Sequence, residues 1–290
     1  MDEHLKGMHR LREPQPFVVH REAPAASSEA ELSGPRSLAE IRESGVLRVG
    51  YWAGNYPLMF FNVEDELVGF DSEMAHRFAE RLDVSLEFVP LRLQTDDLTS
   101  GYCDVVFNSV TIDPTRTVWA IHTNPFDVFT LAFVVPNRRR EGFATWDDIA
   151  DQGEITIALP LFQQLQGEVS KRLPQASAVR FSSLEEQRQY FEADGEGAAG
   201  LLDAAEEGAA WTVLYPQFAV VVPRPVVQIP VAYLVAPENP SLLRAMNEWL
   251  LIEKAAGSIN EVHDYWIQGN TDRVKPPRWS LVRDVLGWID

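Results

Sequence analysis

The sequence predicts an α/β protein organised as two lobes, and three observations carry that expectation. Between residues 38 and 107, strand-like apolar runs alternate with amphipathic helical stretches in the order β-α-β-α-β, and a second such round runs from 155 to 202. Alternation of this kind predicts a mostly parallel sheet with helices on its faces. Two apolar strands that end in proline-containing segments, at 131–136 and 231–237, flank the second round. If both cross between lobes, the second lobe is an insertion in the first and the strands are hinges. Paired hinge strands leave a cleft, where small ligands bind. The length of 290 residues fits two domains of ordinary size.

The elements follow in order. Residues 1–37 contain Pro14, Pro16, Pro24, Pro35 and the run Ala25-Ala26-Ser27-Ser28, and are expected to be a flexible linker or tail. The first lobe takes residues 38–136 and 231–269. Leu38-Ala39-Glu40-Ile41 opens a helix, Gly45 stops it, and residues 46–51 form a strand. Residues 61–70 suggest a hairpin. Asp71 stands where a helix cap belongs, Glu73 adds charge to the first turn, and Met74, Phe78 and Leu82 share a face. Strands follow at 85–89 and 104–107.

The second lobe, 137–230, is expected to carry strands at 155–159, 178–181 and 200–202 and helices at 162–173 and 184–191. The chain then returns through a strand at 226–235 to a helix striped by Leu242, Leu243, Met246, Trp249 and Leu250. Residues 270–290 form a tail with an amphipathic helix on Trp279, Val282, Val285, Leu286 and Ile289, expected to pack on the body.

Composition excludes several functions. Twenty-five Lys+Arg against 43 Asp+Glu give a net charge of −18, which offers no basic stripe to a phosphate polymer, so nucleic acid is not a partner. Of that charge, residues 141–210 hold a large share, with 4 basic and 14 acidic residues. A 46% apolar content with 8 Trp and 15 Phe supplies real cores. The single cysteine, Cys103, excludes an internal disulfide and a thiolate zinc site, and reads as a small core residue. His4, His9, His20, His76, His122 and His263 show no metal-ligand spacing, so neither metal nor cofactor is expected. No window approaches the roughly 18 apolar residues of a spanning helix, and residues 1–12 do not read as a secretory leader. Arg138-Arg139-Arg140 reads as a solvated loop, and Glu185-Glu186 and Glu206-Glu207 as solvated helix faces.

The most informative stretch is Asn108-Ser109-Val110-Thr111-Ile112-Asp113-Pro114-Thr115-Arg116, directly after a sheet strand. Asp113 followed by Pro114 is a helix start, with a capping carboxylate and a proline where no N–H is needed. Ser109 and Thr111 alternate on the approach, and Arg116 sits just inside the helix. A guanidinium, two hydroxyls and free amides at the carboxyl end of a strand make a carboxylate-binding arrangement. The same spacing also allows a plain surface contact between Arg116 and Asp113, worth about 0.2–0.5 kcal/mol.

This stretch resembles the ligand-binding segment of the family 3 extracellular solute-binding proteins, the periplasmic amino-acid receptors of transport systems. Three more segments match in order: Leu47-Arg48-Val49-Gly50; Leu67-Val68-Gly69-Phe70-Asp71-Ser72-Glu73-Met74-Ala75; and Asn239-Pro240-Ser241-Leu242 through Gly257 and Trp266-Ile267-Gln268-Gly269. The resemblance covers about residues 38–269. It implies a type II periplasmic-binding-protein fold, two α/β lobes on two hinge strands, closing on a small carboxylate-bearing solute such as an amino acid. It further implies that Arg116 grips the ligand carboxylate with Thr111 and Ser109, and that Tyr56 stacks on the ligand, with Trp52 and Phe60 as competitors. Asp203 would take the ligand amine, with Glu206 its rival.

Where the family opens the first helix of its second lobe with Gly and a hydroxyl residue, this chain has Leu159-Pro160-Leu161-Phe162. A polar contact is lost there, which favours a more apolar ligand or none. The resemblance implies a monomeric binder with no catalytic residues, located in the periplasm or on the extracytoplasmic face of the membrane, serving a symporter-like or ABC-type transporter. The segments His20-Arg21-Glu22-Ala23-Pro24 and 277–288 resemble those of binding modules fused to sodium:dicarboxylate symporter-like membrane domains. Two alternatives accompany this reading: an enzyme on the same scaffold, dehydratase-like or peptidoglycan-related, and a ligand-free regulatory module whose cleft is filled by Phe162 and Trp211.

Overall fold

A computed structural model describes residues 8–23, 34–92, 96–160 and 165–268. The chain divides into two units, one formed by the chain up to Asp127 together with Val231–Trp266, the other by Val128–Pro230. The segment Val128–Pro230 thus leaves one unit at 127/128 and returns to it at 230/231, which is the connectivity of an insertion. The boundary lies before the expected one: residues 128–136 belong with the second unit, because Leu131, Ala132, Phe133 and Val134 pair with Leu201–Ala204 there.

In the first unit, β1 (Phe17–Val19), β2 (Val46–Tyr51), β5 (Ser85–Pro90) and β6 (Val105–Thr111) are parallel in the order β1-β5-β2-β6. Between β2 and β5 lie the hairpin of β3 (Phe60–Phe61) and β4 (Leu67–Val68) and the helix α2 (Phe70–Leu82); α1 (Leu38–Ser44) precedes β2. All seven residues of β6 are buried, so the strand is covered on both faces and shows no polar alternation. Gly45 ends α1 in the left-handed region, at φ 68°, as expected of a glycine stop. At the start of α2 the cap position is Gly69 and not Asp71. Gly69 has φ 123°, and a Cβ there would lie 2.3 Å from the Leu58 carbonyl oxygen, so only glycine fits. Asp71, two residues further in, is buried in the core.

Residues 8–23, expected within a free linker, are ordered against the first unit. β1 adds to the edge of β5, Phe17 meets the rings of His76 and Phe88 edge-on at 5.1 and 6.3 Å, and Met8 is buried. Tyr265 and Asn62 donate to the carbonyls of His9 and Met8. A three-residue strand flanked by prolines has no period to reveal it; its neighbours hold it in place.

After β6 come a short 3-10 turn, Pro114–Val118, and β7 (Ile121–His122). The second unit contains β8 (Asp127–Pro136), α3 (Trp146–Ala150), β9 (Thr156–Leu159), α4 (Gln166–Arg172), β10 (Ser177–Arg180), α5 (Leu184–Glu192), β11 (Gly200–Ala204), α6 (Ala205–Leu214) and β12 (Phe218–Val221). β10, β9 and β11 are parallel; β8 runs antiparallel to β11 and β12. The chain returns through β13 (Gln228–Val235), antiparallel to β6 and β7, to α7 (Pro240–Ala256) and α8 (Ser258–Trp266). Asn239 caps α7 by accepting the Leu242 amide, with Pro240 at the first helical position.

Leu161 and Phe162 lie outside the described residues, as do residues 270–290. Trp211 lies in the core of the second unit, stacked on Phe191 at 4.9 Å. Arg138 and Arg139 are engaged locally, with Asp194 and with the Ala198 carbonyl. Cys103 is buried in an apolar cluster with Val89, Leu98 and Val106, and burial pushes its thiol pKa up, as suits a core residue.

Candidate functional site

The residues predicted to bind a carboxylate stand at the carboxyl end of β6 and in the turn that follows it. Asp113 accepts the amide and the hydroxyl of Thr115, both at 2.7 Å, and Pro114 opens the 3-10 turn that follows. This turn places Arg116, which is buried at 4% exposure, back over the strand end. Its Nη1 donates to the Thr111 carbonyl at 3.2 Å. Thr111 is buried beside it, while Ile112 and Val118 are exposed on either side.

Ser109 lies one pleat deeper and faces inward. Its amide and hydroxyl donate to Asp71, at 2.8 and 2.6 Å, and the Tyr233 hydroxyl donates to the same carboxylate at 3.0 Å. Asp71 has no exposed surface, and burial pushes its pKa up to about 6 against the pull of these donors. Ser109 thus anchors β6 to α2 and β13, and its hydroxyl faces Asp71 instead of a ligand.

The aromatic candidates differ in access. Phe60 is fully buried, edge-on to Trp266 at 5.9 Å, which leaves no ring face for a ligand. Tyr56 is half-buried, its ring 4.9 Å from that of Phe60. Trp52 follows the carboxyl end of β2, and its amide donates to Asn108 Oδ1 at 3.4 Å, which holds this loop beside the end of β6. Tyr56 and Trp52 therefore remain the aromatic side chains near the parallel rim.

In the second unit, Asp203 and Glu206 stand where β11 passes into α6, at the carboxyl edge of its parallel strands. Asp203 is buried and accepts the Ala204 amide at 2.8 Å. It lies beside buried Glu207, and burial raises the Asp203 pKa. Glu207 was expected on a solvated face; a one-turn offset from Asp203 turns it inward. Glu206 accepts the Thr130 amide through both oxygens, at 3.2 and 2.9 Å.

A hollow of about 560 Å³ on the second unit, lined by Arg138, Arg139, Thr156 and the 193–199 loop, lies at the amino end of β9, away from this rim. Among the described residues no group of three or more His, Cys, Asp and Glu could hold a metal ion, and no helix is long and apolar enough to cross a membrane. Asp71, Tyr233, His122 and Glu207 were not singled out for this site by sequence; only the Gly-Phe-Asp order before α2 signals any of them.

Residues 47–269 match the bacterial extracellular solute-binding proteins, family 3. The chain belongs to this family. Its members are extracytoplasmic solute-binding proteins, and the mixed α/β architecture matches type II periplasmic binding proteins. Cyclohexadienyl dehydratase of Pseudomonas aeruginosa is 25% identical over 252 residues, covering 84% of this chain and 91% of that one. Among solved structures, an ancestral amino-acid-binding protein, described as a precursor of cyclohexadienyl dehydratase, superposes with a TM-score of 0.68 at 24% identity, covering 79% of this chain and 98% of its own. A solute receptor for L-cysteine from Neisseria gonorrhoeae gives 0.68 at 22% identity, over 83% and 98%.

Proposed function

We propose that this family 3 chain captures a small amino-acid-like solute, holding the carboxylate on the Arg116 loop of the first unit and the amine on Asp203 of the second, and delivers it to a membrane transporter of symporter or ABC type. The observation that carries this reading is Arg116, a buried guanidinium held by its own turn at the carboxyl end of a parallel strand. Thr111 supports the carboxylate, and Tyr56 or Trp52 covers the side chain of the ligand. Capture proceeds by closure of the units on the bound solute as a monomer, a shift of an open–closed equilibrium set by the ligand's differential affinity.

A buried charge-assisted pair is worth about 1.5–3 kcal/mol, so Arg116→Ala should weaken binding by about ten- to a hundredfold. Calorimetry of the full chain against a panel of amino acids and dicarboxylates tests this. Unchanged affinity in the variant overturns the role of Arg116, and no binding by the parent chain overturns the receptor reading.

One observation favours a second reading, an enzyme on the same scaffold: Asp203 is buried beside a second buried carboxyl, Glu207, and burial raises its pKa, the direction that suits a general acid. The relationship to a dehydratase supports the comparison. Incubation with a cyclohexadienyl carboxylic acid, followed by ultraviolet absorbance of the aromatic product, decides it, and absence of product rejects it.

A further inference from the structure

His122 was set aside in the sequence because it has no metal-ligand spacing, yet its ring is built into the carboxylate loop. It lies in β7, half-buried, where β7 pairs with Leu234 of β13. Its Nε2 accepts the amide hydrogen of Asp113 at 3.4 Å. In a neutral imidazole whose Nε2 accepts, the proton sits on Nδ1. The carbonyl of Asp113 in turn accepts the Arg116 amide at 3.2 Å, so the residue that the ring holds is the one that opens the Arg116 turn.

We propose that His122 is the positioning residue of the carboxylate loop: a neutral Nδ1–H ring that holds the Asp113 amide, steadies the turn carrying Arg116, and loosens that turn when it takes a second proton. The consequence for ligand binding rests on the amino-acid reading above; the consequence for the loop does not. On protonation Nε2 becomes a donor facing the Asp113 N–H, and two donors cannot bond. The charged groups that face the ring are Arg116, which opposes protonation, and Asp113, which favours it. Burial, the largest influence, adds to Arg116, and the pKa falls below the ordinary histidine value. The ring is accordingly neutral at pH 7.5 and charges only in acid.

The test uses the full chain with 15N-labelled histidine. At pH 7.5 the His122 ring should show protonated Nδ1 and unprotonated Nε2 by NMR, and the Asp113 amide should move on acidification with the ring's own titration. An Nε2–H tautomer, or an Asp113 amide indifferent to that titration, overturns the proposal. Calorimetry with L-arginine, L-glutamine and L-cysteine follows. The affinity of the parent should fall severalfold from pH 7.5 to pH 5, while His122→Phe should lose about tenfold at pH 7.5 and show no such pH dependence. His122→Gln, with an uncharged acceptor at the Nε2 position, should restore affinity and keep it flat with pH. Parent-like binding by the Phe variant at both pH values also overturns the proposal. If the parent binds none of the three, the amino-acid reading loses its support, and the tautomer and amide titration still decide the role of His122.

Discussion

Replacing Tyr233 with Phe tests the buried hub that holds β6 in place. The ring of Tyr233 lies 4.3 Å from both Phe107 and Phe126, so phenylalanine keeps this packing and deletes only the hydroxyl. That hydroxyl donates at 3.0 Å to Asp71, which has no exposed surface. A hydrogen bond to a buried charge is worth about 1.5–3 kcal/mol, and to a neutral acceptor about 0.5–1.5 kcal/mol. The size of the loss therefore depends on whether Asp71 is ionised. Burial raises the Asp71 pKa from 3.8 to about 6, and removal of a donor to the carboxylate raises it further. The folded variant then holds more protons than the folded parent around pH 6–7, so its stability falls relative to the parent as pH rises through that range. Urea denaturation followed by tryptophan fluorescence should show the variant less stable by about 2 kcal/mol at pH 7.5 and by about 1 kcal/mol at pH 5. A loss below about 0.5 kcal/mol at pH 7.5, or an equal loss at both pH values, would refute the hub as described.

Two further changes probe how the first unit is assembled. Gly69→Ala should destabilise the protein by about 3 kcal/mol or more, since a Cβ would meet the Leu58 carbonyl oxygen at 2.3 Å with φ at 123°; a thermal midpoint equal to the parent's contradicts the strain. Phe17→Ala should cost about 1–2 kcal/mol by removing its half-buried ring from His76 and Phe88. Its thermal midpoint should drop and exchange of the His20 amide, which donates to Phe88, should quicken; unchanged protection there means that residues 8–23 are not held by this ring.

Parts of this design were legible from residue order and parts were not. The Asp113-Pro114 start and the position of Arg116 could be read directly, because capping and the fixed proline φ act within a few residues. Ser109 could not be separated from Thr111 by the same means. The two alternate along one strand, and what distinguishes them is Asp71, 38 residues earlier in the chain, arriving beside Ser109. Phe60 and Tyr56 look alike as candidates for stacking, yet Trp266 of α8 covers one of them. His122 was invisible as a loop residue since its partner, the Asp113 amide, is a backbone group, and backbone groups leave no mark on composition.

The sequence by itself determined the α/β class and the Asp113-Pro114 start of the turn that carries Arg116. Both depend on periodicity or on neighbouring residues, which are local properties of the chain. The tertiary structure decided which polar side chains are consumed internally, which carboxyls are buried, which ring covers which, and that residues 8–23 complete an edge of the sheet. Those outcomes turn on burial and on contacts between distant segments, where the cost of leaving a polar group unpaired selects its partner.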